Sequence, residues 1–278
     1  MLPNFLIIGA AKAGTTSLYH YVRSHPQAFM PERKELSFFC EEFNWERGVD
    51  WYERHFEGAG PAVGVGEASP RYTVYPVYRG VPARIAGLLP DVRLVYLVRE
   101  PIKRMQSHYL DRVIHGLESQ PIEQALLGNT FYLSSSSYAL QLEQYLEYFP
   151  RDRILVILSE DLQRNRQEAL SRVFRFLGID PDWRTDVFDE EFLQTNARRV
   201  PRRVFRRIWF SPVTRAVSPL LPQVVKDRFR SATSSAIDTE VARLSPSLRD
   251  HLEDLLRDDV RALGRFLHDE EFDGWGIA

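Results

Sequence analysis

The chain has 278 residues, 44% of them hydrophobic and 27% charged, which is enough to bury a full α/β core. A net charge of −2 and a pI near 6.4 exclude a domain-wide basic footprint, and with it nucleic acid as the partner. The single cysteine, Cys40, excludes an internal disulfide, and the seven histidines show no metal-ligand spacing, so no metal is expected.

The first predicted strand, near 4–9, runs directly into the segment Phe5–Ser17, FLIIGAAKAGTTS. An apolar run that ends in a glycine-bracketed turn and then opens a helix near 15–24 has the layout of an anion cradle. Small residues let backbone N–H groups point inward, and the helix adds its positive N-terminal end. The ligand expected is a phosphate or a close analogue. A nucleoside triphosphate loop would carry its lysine directly after the second glycine. Here Thr15 stands in that place, and Lys12 lies inside the loop, close to the first phosphate and whatever is attached to it. Read alone, GAAKAGTTS also fits a plain strand-to-helix turn.

Further strands are predicted near 62–66, 92–98 and 153–158, with helices near 101–115, 135–148 and 164–177. The segment Asp91–Tyr109, DVRLVYLVREPIKRMQSHY, repeats the strand-turn-helix plan. Arg99 ends the apolar run where ligands bind in open α/β sheets, Pro101 suits a first helical turn, and Ser107 can add a hydroxyl. The competing reading pairs Arg99 with Glu100. A metal-dependent kinase would need an aspartate at this strand end; Arg99-Glu100 stands there instead. Only four of the 36 basic residues are lysines, Lys12, Lys34, Lys103 and Lys226, and two of them fall in this proposed site. The alternation of strands and helices predicts a three-layer α/β fold, a P-loop-like central parallel sheet flanked by helices. A helical C-terminal portion follows, with Leu248, Leu252, Leu255, Leu256, Leu263 and Leu267 on one stripe of a helix over 245–268 that should pack on the sheet's flank.

These segments resemble sulfotransferases that use 3′-phosphoadenosine 5′-phosphosulfate (PAPS), particularly the heparan-sulfate type and its bacterial relatives. The likeness covers roughly 1–180 well and the tail loosely. It implies that Lys12, Ala13, Gly14, Thr15, Thr16 and Ser17 hold the 5′-phosphosulfate, and that Arg99 and Ser107 hold the 3′-phosphate. In PERKELSFFC, residues 31–40, Glu35 falls on the family's catalytic glutamate, flanked by Phe38 and Phe39, whose apolar surroundings would raise its pKa. The plainer reading pairs Glu35 with Arg33 or Lys34 on a solvated loop. The run GVGEASPRY, 64–72, is similar to the family's Glu-Lys-Ser-Pro-x-Tyr at Glu67, Ser69, Pro70 and Tyr72, while Ala68 replaces the lysine. Tyr138 is expected to line the cleft. Asn196, Pro201 and Arg202 match an element that closes over the nucleotide; the arginine-rich run 198–207 also fits a surface for a polyanionic acceptor or acidic membrane, or a plain solvated helix face.

The resemblance implies a metal-independent sulfuryl transfer from PAPS, with Glu35 and Lys12 catalytic, to a hydroxyl or amine of a carbohydrate, lipid or small-molecule acceptor. A P-loop nucleotide kinase and a non-catalytic nucleotide-binding protein of the same fold stay open as alternatives. No linker, repeat or low-complexity tract divides the chain, so one domain over 1–278 is expected. The apolar residues Phe5–Ile8 belong to the first strand and are too few for a membrane span or a signal peptide, so the expectation is a cytoplasmic protein of bacterial type with no stable membrane insertion.

Overall fold

The computed structural model describes residues 1–190, 192, 199–201, 234–236, 239–267 and 272–278. Five parallel strands form its central sheet in the order β2-β3-β1-β4-β5: β1 Phe5–Gly9, β2 Ala28–Phe29, β3 Gly64–Ala68, β4 Arg93–Val98 and β5 Ile154–Leu158. Their registers follow the apolar runs, with Phe5 beside Gly66 on one side and Arg93 on the other. Strands β1 and β3 are buried at every position, as a sheet covered on both faces requires, so they read as near-continuous apolar segments rather than alternating ones. Helices flank this sheet. Because β3 lies on one side of β1 and β4 on the other, the order reverses at β1. The connections that leave the carboxyl ends of β1 and β4 therefore run in opposite directions and leave a crevice for a ligand.

The predicted helices appear as α1 Thr15–Arg23, α4 Pro101–Ile114, α7 Tyr138–Leu146 and α9 Arg166–Leu177. Pro101 opens α4 at its first turn, and the Glu100 carboxylate caps it by accepting the Lys103 backbone N–H. Two helix starts differ from expectation by two residues or more. The helix expected from 135 begins at Tyr138, because the serines before it serve other partners: the Ser136 hydroxyl donates to the Pro101 carbonyl at 3.2 Å and the Ser137 hydroxyl to the Leu133 carbonyl at 3.1 Å. Asn165, at φ −123, interrupts the helix expected over 164–177 and leaves a separate short α8, Ser159–Arg164. Short elements with no legible period were missed altogether: β2, α2 Val49–Glu53, α3 Val81–Leu88, α5 Ile122–Gly128 and α6 Thr130–Ser134.

The C-terminal helix Pro246–Leu267 buries Leu248, Leu252, Leu256, Val260 and Leu263. It packs against α4 and α7, joining Ile102, Met105 and Tyr132 in a second apolar cluster, while Leu263 near its end enters the main core with the sheet residues. Leu255 was expected on this stripe but is 48% exposed; it sits one residue, about 100° around the helix, from buried Leu256. Val260 takes the inward place instead. Further along, the Asp259 carboxylate accepts the N–H groups of Ala139 at 3.1 Å and Leu140 at 2.9 Å, which caps α7 from outside. Burial pushes the Asp259 carboxyl up to about 6 against those hydrogen bonds.

Candidate active site

The turn after β1 is held from two sides. The Ala10 N–H donates to the Leu97 carbonyl of β4 at 2.6 Å, and the Thr73 hydroxyl donates to the Ile8 carbonyl at 3.2 Å. Gly9 is required by this approach: a Cβ there would come within 1.9 Å of Thr73 Oγ1. Gly14 enters α1 at φ 100, a left-handed conformation that glycine adopts without strain. Leu18 is the residue whose N–H returns to the Gly14 carbonyl, at 3.1 Å, so the N–H groups of Thr15, Thr16 and Ser17 stand ahead of the first intrahelical bond. Gly14, Thr15, Thr16 and Ser17 all line one cleft of about 1180 Å³. Ala13 does not: its side chain is buried in the core and its N–H donates to the Ala10 carbonyl at 3.1 Å, so packing and the turn use the groups expected to meet the ligand.

Lys12 lines the same cleft in a left-handed conformation, φ 71, and its Nζ donates to Asp111 Oδ1 of α4 at 2.9 Å. Arg99 reaches across from the end of β4 and donates to the Lys12 carbonyl at 3.3 Å. The expected alternative, an Arg99–Glu100 pair, does not form, because Glu100 turns to the C-terminal helix and meets Arg249 at 3.5 Å. Lys103 and Ser107 follow on α4, both on the cleft wall. Both ends of the expected donor site therefore face a single cavity. Tyr138 is corrected: it is fully buried, and its hydroxyl donates to the Arg99 carbonyl at 2.6 Å, so it fixes the strand end and does not reach the cleft.

Glu35 lines the same cleft. Its carboxylate accepts from Lys34 Nζ at 3.0 Å and from Arg71 at 3.2 Å, and its side chain is 41% exposed. The apolar setting expected for it is absent. Phe38 and Phe39 are fully buried in the core, where Phe38 stacks on Tyr52 with centroids 4.3 Å apart. Backbone bonds hang this loop from the end of β3: the Glu35 N–H donates to the Ala68 carbonyl at 3.1 Å and the Ser37 N–H to Ser69 Oγ at 2.9 Å. Beneath it, the buried Glu67 carboxylate accepts the hydroxyls of Ser69 at 2.6 Å, Tyr72 at 2.6 Å and Tyr52 at 3.1 Å, and the Leu36 N–H. Burial raises the Glu67 carboxyl above its ordinary value in spite of these donors, and pushes both tyrosines well up. The residues 67–72 thus form a buried anchor for the Glu35 loop.

Four cleft or near-cleft residues escaped the sequence: Arg71, Arg104, His108 and Asp111. For Asp111 and His108 the signal was available, since i, i+4 spacing from Ser107 and Arg104 places them on neighbouring parts of one helix. Arg202 and Asn196 lie outside the described residues, as do Arg198, Arg203, Arg206 and Arg207; of Pro201 only the backbone is described, in a short antiparallel pairing of 199–201 with 234–236. Among the described residues no group of His, Cys, Asp and Glu is arranged to hold a metal ion, and no helix is long and apolar enough to cross a membrane.

Comparison with known proteins gives this geometry a family. The family described as sulfotransferase domain matches residues 2–211. Human bifunctional heparan sulfate N-deacetylase/N-sulfotransferase 2 is 29% identical over 206 residues, 65% of this chain and 22% of that protein. Mouse heparan sulfate glucosamine 3-O-sulfotransferase 5 is 30% identical over 193 residues, 65% of this chain and 54% of that protein. The matched regions thus span about half the length of these curated relatives or less. Among solved structures, a sulfotransferase from Alicyclobacillus acidocaldarius superposes with a TM-score of 0.72 at 25% identity, covering 99% of each chain. Mouse sulfotransferase SULT7A1 complexed with PAP shares the fold at a TM-score of 0.52 and 13% identity, over 99% of this chain and 88% of that one. An anion loop and a strand-end arginine on one cleft, in a sheet of this topology and with these relatives, make the chain a member of the sulfotransferase family.

Proposed function

We propose that the protein transfers a sulfuryl group from PAPS to a hydroxyl or amine of a carbohydrate, lipid or small-metabolite acceptor, without a metal. The observation that carries this reading is the convergence of Lys12, Arg99 and Glu35 on one cavity, which is roomy enough for a nucleotide and an acceptor together. The α1 N–H groups and Lys12 suit the 5′-phosphate end, and Arg99 with Ser107 suits the 3′-phosphate. The donor supplies the activated sulfur. Glu35 takes the acceptor proton as the acceptor oxygen or nitrogen bonds to sulfur, while the electron pair of the breaking S–O bond goes to the 5′-phosphate, where Lys12 and the loop N–H groups stabilise it. A carboxylate oxygen has two accepting positions, so Glu35 can keep Lys34 and Arg71 and still accept from the acceptor. Positioning and electrostatics then carry most of the rate, as in phosphoryl transfer. One domain over 1–278 and a cytoplasmic location complete the proposal.

The test uses labelled PAPS, a panel of acceptors and the variant Glu35→Gln. Turnover should fall by about 100- to 10,000-fold, the usual range for a lost general base. Calorimetric affinity for adenosine 3′,5′-bisphosphate should stay within about twofold, because Glu35 bonds Lys34 and Arg71 and none of the residues assigned to the phosphates. Lost nucleotide binding would assign Glu35 to structure. A rise in melting temperature with ATP and Mg²⁺, and none with the bisphosphate, would remove the donor assignment.

A further inference from the structure

Arg104, in the middle of α4, is fully buried. Its Nε donates to Ser136 Oγ at 2.6 Å, Nη2 to the Tyr132 carbonyl at 2.8 Å and Nη1 to the Ala11 carbonyl at 3.2 Å, with His108 Nδ1 3.1 Å from Nη1. Every one of these partners is neutral. His108 meets the guanidinium as an uncharged acceptor, since burial and then the Arg104 charge hold its imidazole well below its ordinary value. Among the described residues no carboxylate forms an ion pair with Arg104. A guanidinium stays protonated, and a buried charge without a counter-charge is costly. This charge sits directly against the anion loop: Ala11, which it bonds, and the next residue, Lys12, both line the cleft, as does His108.

We propose that the counter-charge missing from Arg104 is the nucleotide phosphate. Arg104 is a positioning residue that holds the loop through the Ala11 carbonyl, keeps Lys12 in its left-handed conformation, and has its charge balanced only when an anion lies in the cradle. The inference rests on the donor-site reading above and adds a residue that no exposed surface reveals. A compact charge behind the loop acts through protein rather than water, so it is screened little by salt.

The experiment compares Arg104→Lys with Arg104→Gln, titrating each and the parent with adenosine 3′,5′-bisphosphate at pH 6.5. Both changes shorten the side chain and disturb its neutral hydrogen bonds; only the first keeps the charge. Arg104→Lys should bind within about threefold of the parent, and Arg104→Gln about 10- to 100-fold more weakly, with similar melting temperatures in the absence of nucleotide. Equal affinities for the two variants, whether normal or weak, would overturn the charge role. Where both prove too unstable to titrate, Arg104→Met decides. A bisphosphate-induced rise in melting temperature smaller than the parent's supports the proposal, and an equal rise overturns it. A parent protein that fails to bind the bisphosphate overturns the donor reading as well, whereas normal parent binding with equal variants overturns only the role of Arg104.

Discussion

Asp111→Asn should tighten nucleotide binding. In the free protein Lys12 is held by Asp111 at 2.9 Å, and the two side chains are 19% and 26% exposed, so the pair is partly shielded from solvent. A phosphate entering the cradle must share Lys12 with that carboxylate and approach a like charge. At about 6 Å and an effective dielectric constant of about 40, two unit charges repel by about 1.4 kcal/mol, which is a tenfold change in affinity. Losing the ion pair costs the free protein less, about 0.2–1 kcal/mol for a pair this accessible. The affinity of Asp111→Asn for adenosine 3′,5′-bisphosphate should therefore rise about 3- to 10-fold at 50 mM salt, with a smaller gain at 300 mM as the cleft is screened. Calorimetry at the two salt concentrations reads both effects. Unchanged or weaker binding at low salt would refute the argument and mean that Asp111 orients Lys12 productively.

Two further predictions concern stability. Gly9→Ala places a methyl group 1.9 Å from Thr73 Oγ1 and 3.1 Å from the Tyr96 ring, and should cost about 1–3 kcal/mol in urea unfolding as the Thr73 bond to Ile8 is displaced; an unchanged midpoint would mean that Thr73 moves freely. Asp259 has a folded-state pKa raised to about 6 from 3.8, so the folded protein binds the extra proton between those values. Its contribution to stability therefore increases as the pH falls from 7 towards 4, by up to about 3 kcal/mol. Asp259→Asn should remove that slope from the pH dependence of unfolding, and a slope equal to the parent's would place the titration elsewhere.

The convergence of Lys12, Gly14, Arg99 and Ser107 on one cleft was legible because its geometry is local. A strand, a turn and a helix start are contiguous in Phe5–Ser17, and again in Asp91–Ser107, so the spacing of Gly9, Lys12, Gly14, Arg99 and Ser107 carries the geometry. Tyr138 was misplaced for the opposite reason, because its hydroxyl's partner is the Arg99 carbonyl, distant in sequence, while the Ala13 N–H is taken within its own turn by the Ala10 carbonyl, a bond that the spacing of small residues does not reveal. The setting of Glu35 failed in the same way. Adjacent phenylalanines suggested an apolar pocket, yet Glu35 and Ser37 take left-handed backbone conformations, φ 61 and 47, which turn the glutamate out while Phe38 and Phe39 turn in. Arg104 was invisible as more than one basic residue among many, since only its burial distinguishes it.

The segment that carries Glu35 has no regular secondary structure, but it should not behave as a loop. Leu36 and Ser37 give their N–H groups to Glu67 and to Ser69, both buried beside Tyr52 and Tyr72, so opening this turn exposes a buried carboxylate as well as a backbone. Amide exchange at these two positions should then keep pace with β3 itself, and the Glu35 side chain rides on one of the slowest-opening parts of the molecule.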